Sequence, residues 1–335
     1  MSVQITILGL DRVGASLGLA LANAKDQVTR VGSDARMDVG KQAAKIKAID
    51  RAIYNLPEAV AAADAVVLAL PVEDLRLTLE AIASNLKPGA VVLDTSPVPT
   101  QFLAWAKELF PPEDRYPITF TPALNPAYLL ESDNSLTGAH ADLFQNSAIF
   151  ITNPYGVDES AIQFAENLAR LVGGTPVFSD TAEVDGLIST ARLLPELLSA
   201  ALVSATMGKP GWLEARKLAG AHYALVSQAL LGLDGITSPG QLALINKAGA
   251  LYKIDVLIEE LETLRGMIAD GDAEKLHNRL NLARTQRATW LQQRTTDKWE
   301  DPNSKGPPLP TIGSTLGRLI GIRPREERDA DNRRK

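Results

Sequence analysis

The stretch that most constrains this chain is its opening. Val3, Ile5, Ile7 and Leu8 form a short β-branched apolar run that Gly9 ends. From there Val13, Leu17, Ala20 and Leu21 recur at helical spacing. The unit reads as a buried strand, a tight turn and a helix whose unpaired N–H groups face the turn. In a parallel sheet such a helix start is suited to an anionic ligand, above all a dinucleotide pyrophosphate. Gly9, Leu10, Asp11, Arg12, Val13 and Gly14 occupy the six positions of the fingerprint G-x-G-x-x-G. Gly9 permits the turn and Gly14 the close packing of helix on strand. The middle glycine, which lets the backbone approach the pyrophosphate, is replaced by Asp11. Its carboxylate takes up space and adds charge beside a dianion, which Arg12 next door can offset if it turns inward.

The chain continues as strands alternating with helices. Residues 27–32, 52–54, 65–71, 90–94, 117–120, 148–152 and 175–179 read as strands. Residues 39–47, 57–63, 75–86, 101–110 and 160–172 read as helices between them. This pattern predicts an α/β fold, a Rossmann-like doubly wound parallel sheet. Ligands bind at the carboxyl ends of such strands, here the glycine turn, Asp34, Leu70, Pro71 and residues 94–96. Asp34 lies about 20 residues past the turn, where an acid holds the ribose hydroxyls of NAD and repels a 2′-phosphate. Arg36 leaves NADP open.

After residue 179 the strand signal stops. Residues 181–204, 212–231, 238–270 and 272–293 read as helices, with Thr181, Ser238 and Asp272 as N-caps. We therefore expect a dinucleotide-binding domain over 1–179 and an all-helical domain over 180–293 that binds substrate and pairs two copies into a homodimer. Residues 294–335 follow as a proline-rich linker and charged arm, with a short amphipathic helix at 314–322.

With 335 residues, 45% hydrophobic and 22% charged, the chain has ordinary globular composition. A net charge of -6 gives no electrostatic footprint for nucleic acid. The absence of cysteine excludes disulfides, thiolate catalysis and thiolate-bound zinc, and His140, His222 and His277 are too scattered to suggest a metal. No unbroken apolar run reaches the roughly 18 residues of a membrane span, and the first strand starts almost at once, so a cytoplasmic protein is expected.

Several segments carry a family resemblance: the glycine turn, residues 63–71, residues 87–94, residues 138–144, Asp185, Leu194, Pro195 and Asn246. Through them, over about residues 1–293, the chain resembles the prephenate dehydrogenase family, the prephenate and arogenate dehydrogenases of tyrosine biosynthesis. The resemblance implies NAD(P)-dependent oxidation of a small anionic carboxylate. In that chemistry a histidine holds the substrate hydroxyl, a serine supports the histidine and an arginine binds a carboxylate. The matching positions here differ. Thr121 stands before Pro122 in place of the histidine, and Asn125 replaces a glycine. Pro97 falls where the serine aligns, with Ser96 one residue away. Gly220 or Ala221 falls where the arginine aligns, with Arg216 close by, and Arg192 opens the segment ending in Pro195. Ser96 and Thr121 are thus the candidate catalytic residues, and Asn125, Arg192 and Arg216 the candidate substrate binders. Three functions follow: a prephenate-type dehydrogenase with doubtful prephenate turnover, a dehydrogenase of another small acid, and a non-catalytic binding protein, a pseudoenzyme, on the same scaffold.

Overall fold

A computed structural model describes residues 2–24, 26–110, 115–152, 157–232 and 237–299. The expected helix at 314–322 and most of the arm lie outside the described residues. Contacts divide the described residues into two compact units, one running to Val184 and including Thr237, the other Asp185–Gly232 with residues 238–299.

The first unit is built on one eight-stranded sheet. Its strands are β1 (Val3–Leu8), β2 (Val28–Ser33), β3 (Arg51–Ala52), β4 (Ala65–Leu68), β5 (Ala90–Asp94), β6 (Arg115–Pro122), β7 (Ala148–Thr152) and β8 (Thr175–Phe178), in the order β3-β2-β1-β4-β5-β6-β7-β8. All neighbours pair in parallel except β6 with β7. The helices are α1 (Arg12–Ala20), α2 (Met37–Lys45), α3 (Leu56–Ala61), α4 (Val72–Ile82), α5 (Pro99–Leu109) and α6 (Glu159–Leu171). The β4 and β5 strands are buried along their whole length, which is why they read as continuous apolar runs rather than alternating ones.

The register aligns the strand ends. Leu8 faces Ser33 on one side and Leu68 on the other, Leu68 faces Asp94, Asp94 faces Thr119, and Thr119 faces Thr152. One row across the sheet therefore changes from apolar to polar at its carboxyl edge, and that edge positions the site.

Two features fix α1 against this edge. Gly9 adopts φ +89°, and a methyl group there would lie 2.1 Å from the Ala69 carbonyl oxygen. A methyl at Gly14 would lie 1.9 Å from the Gly9 carbonyl oxygen. Behind them the buried Arg30 of β2 donates to the carbonyls of Gly18 and Lys47, both at 2.8 Å, and to Asp50 at 2.6 Å. It ties strand, helix and the turn after α2 together.

The helices expected after residue 180 begin at the end of the first unit and fill the second, with interruptions. α7 (Thr181–Ile188) passes through a π turn at Ser189–Leu193 into α8 (Leu194–Thr206). The single helix expected over 212–231 is broken into α9 (Trp212–Leu218) and α10 (Ala221–Ser227), with Gly220 at the N-cap of the second. The one expected over 238–270 is broken into α11 (Pro239–Ile245) and α12 (Lys247–Ala269) at Asn246. The Asn246 amide is drawn to the Asp185 carbonyl at 3.0 Å and the Ser189 hydroxyl at 2.8 Å. α13 (Ala273–Thr296) runs past its expected end at residue 293.

One helix bears on the expectation about membrane-length segments. The continuous helix Thr181–Thr206 is long and apolar enough to cross a membrane by length and composition, and 22% of its apolar window is buried. An unbroken-run criterion misses it because Arg192 and Glu196, 3.6 Å apart, interrupt the apolar positions.

The close approach at Gly14 generates a prediction. Gly14→Ala should lower the unfolding free energy by about 1–3 kcal/mol or more, since the clash is with backbone that cannot rotate away. Urea denaturation of the variant beside the parent chain checks it.

Candidate functional site

A cleft of about 550 Å³ opens at the carboxyl ends of β1, β2 and β4. Gly9, Asp11, Asp34, Leu70 and Pro71, all expected at a cofactor, line it together with Ser33, Arg36, Tyr54 and Asp74. The other expected residues sit around it rather than in its wall. Leu10 and Gly14 are buried, and Val13 is half-buried on α1.

Asp34 stands just past β2 and is held by backbone. Its Oδ2 accepts the Leu10 N–H at 3.0 Å, and its Oδ1 accepts the Arg36 N–H at 2.9 Å. The strand register leaves this acid beside the glycine turn although 24 residues separate it from Leu10.

Asp11 is the N-cap of α1, in extended backbone, and its carboxylate makes no capping hydrogen bond to the helix. It turns aside to Arg36, whose Nη2 donates to Oδ1 at 2.5 Å. The Nε of Arg36 donates to Asp34 at 3.2 Å. Hydrogen bonds to Asp11 and then Asp34 raise the Arg36 pKa still further above its ordinary value.

The sequence reading put Arg12 in this role, and that is corrected. Arg12 does turn inward and is almost fully buried, but it faces the loop after β6. Its Nη1 donates to the Glu131 carbonyl at 3.0 Å, and its N–H donates to the Asn134 carbonyl at 3.0 Å. The Glu131 carboxylate is 3.8 Å from the guanidinium and 3.0 Å from His140 Nε2. His140 stacks on Tyr128 with ring centroids 4.0 Å apart, and Tyr128 donates to Asp142 at 2.8 Å. His140, whose N–H also donates to Ser16 Oγ of α1 at 3.0 Å, is part of the brace between α1 and this loop. No local pattern signals a partnership between Arg12 and a residue 119 positions away.

A second polar group lies further along the edge. Asp94 is fully buried. It accepts from Ser96 Oγ at 2.5 Å and from Ser96 N–H at 3.1 Å. Burial pushes its carboxyl up to about 7, against the lowering effect of the Ser96 hydrogen bonds. Thr121 Oγ1 donates to the Ser96 carbonyl at 3.4 Å, so the two candidate catalytic residues are brought together. Thr119 and Thr152 share a buried hydroxyl hydrogen bond of 2.6 Å beside them.

Asn125 is occupied locally. Its side chain accepts the Ala127 N–H at 3.0 Å and donates to the Asp142 carbonyl at 2.9 Å. Arg192 and Arg216 belong to the second unit. Arg192 lies on the π turn, largely buried with Glu196 as its ion-pair partner, whereas Arg216 is exposed on α9. His222 and His277 are exposed on α10 and α13. Sequence reading noted Asp94 only as part of a strand-end loop. The signal for a buried acid was its place at the end of an otherwise wholly apolar strand.

Comparison with known proteins gives a consistent picture. Residues 17–178 match the family model described as prephenate dehydrogenase, nucleotide-binding domain, so the match begins beyond the altered glycine turn. The prephenate dehydrogenase of Bacillus subtilis is 24% identical over 297 residues, covering 86% of this chain and 76% of that protein. Among solved structures, Synechocystis arogenate dehydrogenase superposes with a TM-score of 0.69 at 22% identity, covering 86% of this chain and 99% of that one. Prephenate dehydrogenase from A. aeolicus, solved with hydroxyphenyl propionate and NAD+, gives a TM-score of 0.74 at 16% identity, covering 86% and 98%. With the sheet, the strand-end cleft and the helical unit in place, the family model, the curated relatives and the solved structures together support a protein of the prephenate/arogenate dehydrogenase family, with residues 17–178 matching that family's nucleotide-binding domain.

Proposed function

We propose that the chain binds NAD+ in the strand-end cleft and acts as an NAD-dependent oxidoreductase of the prephenate and arogenate dehydrogenase type on a small anionic carboxylate. The observation that carries this reading is the placement of Asp34, a carboxylate anchored by the Leu10 N–H next to the glycine turn and lining the cleft. A carboxylate has acceptor capacity beyond the bonds Asp34 already makes, enough for ribose hydroxyls. The tight backbone at Gly9 and Gly14 and the diversion of Asp11 to Arg36 also fit a dinucleotide. Bound NAD+ supplies the hydride acceptor.

The chain's own residues limit the rest of the chemistry. A threonine hydroxyl at position 121 can hydrogen-bond a substrate hydroxyl but cannot take its proton at neutral pH. A positioned base is worth about 10²–10⁴-fold in rate, so prephenate turnover is expected to be slow. Arg192, drawn in on a π turn, is our preferred carboxylate binder over the exposed Arg216. The same threonine supports the second reading, a binding protein without turnover.

The helical unit supports a homodimer. Leu187, Leu198, Leu218, Leu225, Leu244 and Tyr252, on six helices of this region, are exposed apolar side chains that call for cover, and a second copy of this chain is the occupant we propose.

Three outcomes are expected. Titration calorimetry should show NAD+ binding at micromolar strength, with slow NADH formation from prephenate or arogenate. Absence of heat up to millimolar NAD+ from folded protein overturns the dinucleotide reading, and binding without NADH favours the non-catalytic one. Sedimentation velocity should give twice the chain mass at micromolar concentration, whereas a monomer throughout removes the dimer. The proton on Asp94 stabilises the fold fully below about pH 4, and that contribution is lost as pH rises through about 7. D94N should therefore gain on the parent chain by roughly 2–3 kcal/mol between about pH 5 and about pH 8 in urea titrations.

A further inference from the structure

Among the described residues lining the cleft Arg36 is the one cation, beside the carboxylates Asp11, Asp34 and Asp74. It is held from two sides. Its Nη2 lies 2.5 Å from Asp11, and its Nε lies 3.2 Å from Asp34. The carboxylate side chains are 19% and 7% exposed against 53% for Arg36, so the acids are the fixed frame and the guanidinium is the movable member.

From this arrangement we infer that Asp11, through its hold on Arg36, sets cofactor selectivity and favours the dinucleotide whose ribose is unphosphorylated. The inference rests on the proposed dinucleotide binding. It assigns to the middle position of the glycine turn a role at the far end of the nucleotide, beside Asp34.

The physical reason is a competition for one guanidinium. A 2′-phosphate brings close to two negative charges to the end of β2 and needs a forked cation. In sequence Arg36 offers one. In the structure its fork is already divided between two carboxylates, leaving the trio with a net negative charge. Recruiting Arg36 to a phosphate strands Asp11, a largely buried carboxylate, without its cation. The unphosphorylated ribose makes no such demand, since its hydroxyls donate to Asp34 while the clamp stays closed. With Asp11 neutral, Arg36 keeps only Asp34 and gains a free arm.

Titration calorimetry with NAD+ and with NADP+ at fixed ionic strength tests this on the full chain, D11N, D11G, R36A and the double variant D11N with R36A. Asn and Gly both suit an N-cap, so the position 11 variants should fold. The parent chain should favour NAD+ by about tenfold or more. D11N and D11G should each narrow that ratio by about tenfold, by tightening NADP+. In the R36A background D11N should leave the ratio nearly unchanged. A D11N ratio equal to the parent's overturns the inference. So does an equal gain for both cofactors, which makes Asp11 an obstacle at the shared pyrophosphate and nothing more. A D11N shift that survives R36A removes Arg36 as the intermediary, and a parent preference for NADP+ reverses the assignment. Failure of the parent to bind either cofactor is a separate result that removes the dinucleotide reading and this inference with it.

Discussion

The closeness of α1 to the sheet governs the strand-end edge. The helix comes near enough that a single methyl group at Gly14 would sit 1.9 Å from a carbonyl oxygen of its own turn. That approach delivers the Leu10 N–H to Asp34 and sends Asp11 out toward Arg36. It also leaves Arg12 pointing into the protein, where it braces the loop after β6. Loosening the contact by one atom would disturb all three relationships, because each is a hydrogen bond whose energy falls steeply with distance and angle.

The edge is electrostatically economical. Two acids at the glycine turn share one guanidinium, and the buried Asp94 faces no cation among the partners that shift its pKa. Burial therefore dominates at Asp94 and raises its pKa, whereas at Arg36 hydrogen bonding dominates and holds the charge. The first group can change protonation near neutrality, while the second cannot. Along the sheet's carboxyl edge Arg36 is thus a fixed charge and the buried Asp94 a group able to titrate.

Much of the architecture was legible before any coordinates. Runs such as residues 65–68 and 90–93 are apolar on both faces, and only a strand covered on both sides of a sheet needs that. The helical unit was legible in content but not in its breaks. Asn246 interrupts a helix because its amide reaches Asp185 and Ser189, residues about sixty positions earlier, and helical periodicity carries no trace of such partners. The candidate site divided in the same way. Gly9, Asp34, Leu70 and Pro71, each at or just past the end of a strand that the pattern reveals, line the cleft. Asn125 was named by family resemblance alone, and its amide is spent on its own loop.

What the sequence determined by itself was the alternation of strands and helices, the tight turn at Gly9, the acid after the second strand and the family resemblance. These depend on burial and backbone conformation, which are set by neighbours a few residues apart. The tertiary structure alone decided which charge meets which. Asp11 pairs with Arg36 across 25 residues, and Arg12 reaches Glu131 across 119. An ion pair needs two side chains within a few ångströms, and only the folded sheet brings such distant positions to one edge.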